Sequence, residues 1–304
     1  MPTRPPISHS FIDPAVLARI SSLELLARTV VDGFVGGLHR SPNLGATTDF
    51  AEHRQYVPGD ETRHIDWRRY ARTDRLSVKT FEADTNTSFA ALLDVSRSMS
   101  FGSAGRVSKL DYGRFLAASL AWLSHRQRDR VGLVTFDSEV REFVPPSTRH
   151  LPLVLHSLDR TKAGARGELT APLHAAADHF RRRGILVVIS DFYAEPEAAV
   201  DAVLQLRNRG NELLVLHVLD PAELEFPFEE AGTFEDLESG DVLPVVPAEL
   251  REEYRRLVDA HVGTLSRLFG ERGVDYALFD TSKPLDHALF HYLARRQRLA
   301  RGRG

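Results

Sequence analysis

The sequence has 304 residues, of which 42% are hydrophobic and 27% charged, so it is long enough to bury a full core and has an ordinary globular composition. A formal net charge of −3 argues against a general nucleic-acid binder, a class that usually carries a basic excess. The absence of cysteine excludes disulfides, thiolate catalysis, zinc–thiolate sites and iron–sulfur clusters.

The pattern of apolar residues indicates where in the cell the protein is expected. Residues 1–6 lack the apolar core of a secretory signal, and no apolar run approaches the ~20 residues that cross a bilayer. We therefore expect a cytoplasmic protein with no membrane insertion and no nucleic-acid partner. The arginines at 295–303 predict a solvated basic helix end, which suits the negative pole of a helix dipole.

The N-terminal part of the chain divides into a helix and a polar segment. Apolar residues at helical spacing predict a helix over 14–30, with Pro14 near its start. From Gly33 to about Ala83 the sequence is dense in Arg, Asp and Gly, and its turn signals predict short elements. The alternation over 76–81 favours a strand there.

The rest of the chain alternates between short apolar runs and amphipathic stretches. The predicted strands are 88–94, 130–136, 185–190, 213–219 and 274–279, with a short edge strand at 140–143. The predicted helices are 108–128, 148–158, 171–183, 196–209, 249–272 and 284–300. This order indicates an α/β fold with a doubly wound, mostly parallel, Rossmann-like sheet and helices on both faces.

We divide the chain accordingly into three parts. Residues 1–85 form an N-terminal helix and a polar segment packed on the main domain, 86–281 form the α/β domain, and 282–304 form a C-terminal helix and basic tail. Within the α/β domain, the acidic stretch 221–247 interrupts the alternation and predicts a hairpin-like excursion.

Oxygen-bearing side chains cluster at the predicted carboxyl ends of the strands. Asp94, Ser96 and Ser98 alternate after one buried run, and Asp191 ends another. Thr170 precedes a predicted helix, where it could equally be the helix cap. Because the carboxyl ends of parallel strands share one edge, these side chains are expected to lie close together.

This donor set indicates a divalent cation. Mg²⁺ takes one or two carboxylates in octahedral geometry and keeps several waters, which suits two Asp with neighbouring hydroxyls. Mn²⁺ and Ca²⁺ accept the same donors, so the sequence leaves the choice of metal open.

The same residues resemble the von Willebrand factor A fold with its metal-ion-dependent adhesion site. In that family Asp-x-Ser-x-Ser, a Thr from a second loop and an Asp from a third surround one magnesium. The resemblance covers about residues 86–281 and implies that Asp94, Ser96, Ser98, Thr170 and Asp191 surround the metal. It implies direct coordination by both serines, and direct or water-mediated binding by Thr170 and Asp191.

The upstream segment is similar to the signature of domain of unknown function 58, a bacterial family that carries an A-like domain. The matching motifs are Ser41–Gly45, Asp49-Phe50, Arg54–Tyr56, Pro58–Asp60, Arg63–Trp67, Ala71-Arg72 and Val78-Lys79. Many members have two membrane helices ahead of the signature, and this chain has none. The family is often encoded beside a MoxR-type AAA+ ATPase, which implies that ATPase as a partner.

Within the signature, charges of both signs lie close together. They and an aromatic anchor could form a structural network that ties the segment to the domain, or a partner-binding face. The residues concerned are Arg54, Asp60, Arg63, Asp66, Trp67 and Arg72.

Three functions compete for the oxygen cluster. We favour a non-enzymatic, metal-dependent protein-interaction module in which a partner's Asp or Glu completes the metal shell. The enzymatic alternative is a magnesium-dependent phosphohydrolase, for which Asp137 is the one extra carboxylate in a plausible place, although Asp137 is more typical of a turn. The third is a scaffold whose metal is only structural.

Overall fold

The computed structural model describes residues 13–40, 53–55, 77–79, 87–180, 182–207 and 210–301, with no side-chain description for 36–40, 53–55, 77–79 and 294–301. The chain forms two compact units, one of Met1–Phe34 with Thr87–Gly304 and one of Val35–Asn86. In the second unit, the described residues of β1 (His53–Gln55) and β2 (Ser77–Lys79) pair antiparallel. The predicted strand over 76–81 includes β2.

The first unit contains most of the elements. Its helices are α1 Pro14–Leu17, α2 Leu23–Arg40 (which runs on into the second unit), α3 Lys109–Arg126, α4 Leu151–Arg160, α5 Thr170–Ala177, α6 Pro196–Gln205, α7 Pro221–Glu225, α8 Pro247–Glu271 and α9 Asp286–Arg301. Its strands are β3 Ser88–Asp94, β4 Arg130–Phe136, β5 Val140–Ser147, β6 Gly184–Ser190, β7 Glu212–Leu219, β8 Gly232–Glu235, β9 Val242–Val245 and β10 Asp275–Asp280.

A six-stranded sheet with the order β10-β7-β6-β3-β4-β5 forms the centre of this unit. Every neighbouring pair is parallel except β4 with the edge strand β5, which is antiparallel. Counted along the chain, these strands have the 3-2-1-4-5-6 order of doubly wound α/β proteins. The prediction of a mostly parallel, doubly wound sheet is confirmed, and this is the fold class that the A-domain resemblance implies.

The order reverses between β3 and β6, because β3 pairs with β4 on one side and with β6 on the other. In an open α/β sheet the crevice at such a reversal, beyond the carboxyl ends of the strands, is the usual ligand site. Both strands are buried along their whole length, which is why their sequences are continuous apolar runs.

Side chains of β3 alternate between two apolar layers. Ala90 and Leu92 join a cluster that includes Leu173 of α5 and Phe269 of α8. On the other face, the Phe89 ring meets Tyr292 of α9 edge-on at 5.5 Å between centroids. Helices therefore cover both faces of the sheet, as predicted.

The first predicted helix is wrong in its extent. One helix was expected over 14–30, whereas α1 ends at Leu17 and α2 begins at Leu23. The Ser22 hydroxyl accepts a hydrogen bond from the Leu25 backbone N–H at 3.3 Å, so a serine pair within the apolar pattern starts a new helix. None of the described helices is long and apolar enough to cross a membrane.

The acidic stretch 221–247 forms the predicted excursion. It begins with the short helix α7 and continues as an antiparallel hairpin of β8 and β9 that stands apart from the central sheet. We call residues 232–245 the hairpin. Most of its residues are exposed, so the hairpin adds little to the core.

Candidate metal centre

Asp94 ends β3 at the point where the strand order reverses. Its side chain is buried, and Oδ1 accepts a hydrogen bond from the Ser96 backbone N–H at 2.8 Å. Oδ2 accepts one from the Ser190 hydroxyl of β6 at 2.6 Å. The carboxylate is thus held between the two central strands.

The serine hydroxyls lie in the first turn after this strand. Ser96 Oγ and Ser98 Oγ are 3.1 Å apart, and both residues are buried. Adjacent oxygens in an octahedral Mg²⁺ shell, each about 2.05 Å from the metal, lie about 2.9 Å apart. The hydroxyl pair therefore fits one edge of such a shell with little adjustment, and Asp94 supplies a carboxylate of the kind that Mg²⁺ binds.

The electrostatics of Asp94 also favour a cation. Burial and the nearby charge of Asp191 raise the pKa of Asp94 to about 7, against the hydrogen bonds from Ser190 and Ser96, which lower it. The ionised carboxylate is therefore costly in the metal-free protein. A divalent cation at this place would remove that cost, so the residues present fit a metal.

Asp191, which follows β6, is buried and pairs with a lysine. Its Oδ2 accepts a hydrogen bond from Lys109 Nζ at 2.8 Å, and the same ammonium donates to Glu223 Oε1 at 2.6 Å. Burial alone would lower the pKa of Lys109, but the two carboxylates outweigh it and raise the pKa above 10.5. Lys109 thus fixes Asp191 by a buried, charge-assisted contact.

The backbone after Asp191 is strained. Phe192 has φ of +49°, a left-handed conformation that is uncommon for a bulky residue. Its N–H donates to the Ser190 hydroxyl at 3.0 Å, and its carbonyl accepts from His261 Nε2 at 3.1 Å. Such strain persists where the surroundings impose it, and it often occurs at functional sites.

Thr170 is the first residue of α5 and is exposed. The alternative that it caps the helix is wrong, because the N-cap is Leu169, and Glu168 Oε1 instead accepts from the Ala171 N–H at 3.0 Å. Among the described residues its hydroxyl makes no hydrogen bond to the other four predicted ligands. Its part in a metal shell stays a prediction.

The loop before α5 packs directly on the serines. A Cβ added at Gly167 would lie 2.7 Å from Ser96 Cβ, so only glycine fits this approach. Asp137, the extra carboxylate after β4, holds the same loop: Oδ2 accepts from the Ala165 N–H at 3.0 Å and from Arg141 Nε at 2.6 Å. Its Oδ1 accepts from the Glu139 N–H at 3.2 Å, which is the turn role that its position predicts.

A glutamate from the hairpin reaches the same place. Glu238 Oε1 accepts a hydrogen bond from the Ser98 backbone N–H at 2.7 Å, and Oε2 accepts from the Gly167 N–H at 2.7 Å. The acidic composition of the excursion was visible in the sequence, but nothing in it selects Glu238. Lys109 had a clearer signal, because a lysine at the first position of a helix opposes the helix dipole unless carboxylates compensate it.

The structure thus brings Asp94, Ser96 and Ser98 together by direct contacts, and places Asp191 one residue past the strand that adjoins Asp94. Their assignment as metal ligands stays a prediction. The residues of the predicted charged network of the signature lie outside the described side chains: Arg54, Asp60, Arg63, Asp66, Trp67 and Arg72.

The chain belongs to the family described as protein of unknown function DUF58, which matches residues 52–263. The uncharacterized protein Rv1480 of Mycobacterium tuberculosis is 30% identical over 298 residues, a match that covers 94% of this chain and 91% of that protein. The uncharacterized protein MAV169 of Mycobacterium avium is 27% identical over 145 residues, covering 46% of this chain and 82% of that protein.

Solved structures with some similarity include the following three. An aerotolerance-related membrane protein from Bacteroides fragilis is 20% identical with a TM-score of 0.48, covering 69% of this chain and 99% of its own. The hypothetical protein BatB from Bacteroides thetaiotaomicron is 18% identical with a TM-score of 0.46, covering 70% and 99%. The SpRpn10 VWA domain is 9% identical with a TM-score of 0.39, covering 67% and 93%.

Proposed function

We propose that this DUF58 protein is a non-enzymatic, magnesium-dependent protein-interaction module, in which a carboxylate of the partner completes the metal shell. The observation that carries the proposal is the Ser96–Ser98 hydroxyl pair, 3.1 Å apart and beside the buried carboxylate of Asp94. Three hard oxygen donors at a topological switch point are the chemistry that Mg²⁺ requires.

Each residue then has a distinct role. Asp94 supplies an anionic ligand, while Ser96 and Ser98 supply neutral ones, so these three side chains leave one of the two positive charges of the metal uncompensated. When bound, the metal acts as a Lewis acid toward an incoming carboxylate. Asp191, held in place by its ion pair with Lys109, is a second carboxylate near the site, and Thr170 offers a further hydroxyl from the start of α5.

A MoxR-type AAA+ ATPase is the partner that the family resemblance implies, and the cytoplasm is the expected location. The proposal predicts that this ATPase, or another protein with an acidic recognition segment, is captured only when the metal is present.

A magnesium-dependent phosphohydrolase is the enzymatic alternative. Such an enzyme needs a general base near the metal. Asp137 is engaged by Ala165, Glu139 and Arg141, an arrangement that suits loop anchoring rather than proton transfer. Turnover of generic phosphoesters that chelation abolishes would favour the hydrolase over the interaction module.

The test is affinity capture from the native lysate with and without EDTA. We expect wild-type protein to capture its partner only with Mg²⁺, and Asp94→Asn to capture none. Asp201→Asn removes an exposed carboxylate from α6 and is the matched control that should behave as wild type. Capture that survives both chelation and Asp94→Asn would reject the proposal.

A further inference from the structure

The contact of Glu238 with the candidate metal centre links distant parts of the chain. Its two carboxylate oxygens accept separate hydrogen bonds, from Ser98 N–H after β3 and from Gly167 N–H before α5, each at 2.7 Å. Both donors lie next to the Ser96–Ser98 hydroxyl pair, because Gly167 packs on Ser96. A carboxylate therefore already lies at the rim where the proposed function requires a partner's carboxylate.

The turn that carries Glu238 is ordered by its own hydrogen bonds. Asp236 Oδ1 accepts from the N–H of Glu238 at 2.7 Å and of Ser239 at 3.3 Å. The Asp236 N–H donates to the Asp241 carbonyl at 2.8 Å, and Gly240 takes the left-handed φ of +78° that closes the turn. The glutamate is thus presented by a preformed turn.

The hairpin that carries this turn is weakly held. Its strands are mostly exposed, and a two-stranded ribbon is marginally stable by itself. Apart from the two hydrogen bonds of Glu238, an aromatic contact anchors it: Phe234 of β8 stacks on Phe226 at 5.6 Å and meets Phe228 edge-on at 4.9 Å. Elements with few buried contacts open at a smaller free-energy cost than the whole domain.

We propose that Glu238 is an internal occupant of the partner site: the hairpin withdraws it before a partner binds, and the partner presents an acidic side chain on a tight turn in its place. This inference rests on the proposed function and specifies the partner chemistry of the same site. The partner is accordingly a protein with an exposed acidic turn, and the closed hairpin lowers its apparent affinity by the fraction of molecules that are open.

The internal contact is tested first, in metal-free protein. Glu238→Ala should accelerate hydrogen exchange at the Ser98 and Gly167 amides by about tenfold or more, because both lose their acceptor. Glu235→Ala removes an exposed carboxylate from the same hairpin and should leave both amides unchanged. Unchanged exchange in Glu238→Ala would overturn the inference, whatever the metal does.

The second experiment tests whether the site that Glu238 occupies can bind a carboxylate from another molecule. The probe is a fluorescent synthetic peptide of residues 232–245, titrated in saturating Mg²⁺ against wild type, Glu238→Ala and Glu235→Ala. If the hairpin is closed for more than nine-tenths of the time, Glu238→Ala should bind the peptide about tenfold or more tighter than the other two. A peptide with Gln at 238 should lose that binding.

Two results would contradict the inference. Equal peptide affinity of Glu238→Ala and wild type would show that Glu238 is a purely structural cap of the turn after β3. Binding that does not depend on the peptide's glutamate would show the same. The proposed function fails separately, if tight binding to Glu238→Ala persists in EDTA.

Discussion

Lys109 and Asp191 form an ion pair of 2.8 Å in which both side chains are buried, at 0% and 3% exposed. The lysine opens α3 and the aspartate follows β6, so the pair joins a helix to the carboxyl edge of the sheet. Because Glu223 shares the ammonium, removal of the lysine would leave two carboxylates without their counter-charge.

Lys109→Met is therefore expected to destabilise the protein by about 3–5 kcal/mol, the usual cost of breaking a buried ion pair from one side. Urea unfolding of metal-free protein measures the change. Lys162→Met removes an exposed lysine and should alter the unfolding free energy by less than about 0.5 kcal/mol. Equal stability of the two variants would show that Lys109 is dispensable.

Asp137 makes the free energy of unfolding depend on pH in the acid range. Burial by itself would raise its pKa, but hydrogen bonds from Ala165 and Arg141 lower the pKa below 3.8. A carboxyl whose pKa is depressed on folding contributes stability above its unfolded value, and this contribution is lost as the pH falls below 3.8 toward the folded pKa.

Asp137→Asn should lose about 1–3 kcal/mol of stability near neutral pH, because the donors from Ala165, Glu139 and Arg141 would face a poorer acceptor. Its unfolding free energy should then fall less steeply than that of wild type as the pH drops below about 3.8. Urea unfolding of wild type and variant from neutral pH to below pH 3.8 tests both the loss of stability and the shallower pH dependence. A wild type and a variant with parallel pH profiles would show that Asp137 is not a source of the acid sensitivity.

Gly167 provides a steric test of the candidate metal centre. A methyl group there would lie 2.7 Å from Ser96 Cβ, so Gly167→Ala must displace either the serine or the loop. Overpacking of this kind costs about 1–3 kcal/mol, and we expect it to weaken Mg²⁺ binding by tenfold or more.

Gly263→Ala is the matched control, because outside its chain neighbours and its own helix backbone no atom of the described residues lies within 4 Å of the Cβ that it would add to α8. It should raise stability by about 0.5–1 kcal/mol through helix propensity and leave metal binding unchanged. Calorimetric Mg²⁺ titration of both variants measures the effect; unaltered binding in Gly167→Ala would show that the added methyl group does not disturb the place where the metal binds.

The Ser124 and Tyr292 hydroxyls, 2.7 Å apart and buried, fix the C-terminal helix α9 to α3. Ser124→Ala and Tyr292→Phe should each cost about 1–3 kcal/mol, since each leaves one buried hydroxyl without this partner. The double variant should cost clearly less than the two single costs combined. Additive costs in urea unfolding would show that the two hydroxyls do not interact.

The sequence predicts the central strands well, for a physical reason. Strands buried on both faces are continuous apolar runs, so β3 was expected at its observed bounds and β6 within one residue. The prediction of one helix over 14–30 is wrong, because the apolar periodicity continues through the serines at 21 and 22, whereas a new helix begins directly after them. The periodicity of apolar residues shows which residues are buried, but it does not show where side-chain caps end one helix and start the next.

The candidate site was predictable only where its residues are local in sequence. Asp94, Ser96 and Ser98 lie within one turn, and Asp191 follows a strand whose place in the sheet is set by the alternation of elements. Glu238 meets Ser98 across 140 positions, through a hairpin whose orientation depends on tertiary packing. Such a contact carries no sequence signal beyond an acidic composition.

Isothermal titration calorimetry of metal-free protein with Mg²⁺ tests directly whether Asp94 and its serine neighbours hold a divalent cation. We predict one site in wild type and in Asp201→Asn, and a loss of tenfold or more in affinity in Asp94→Asn, since the carboxylate beside the hydroxyl pair is removed. Asp94→Asn protein that binds Mg²⁺ with wild-type affinity and stoichiometry would contradict the claim.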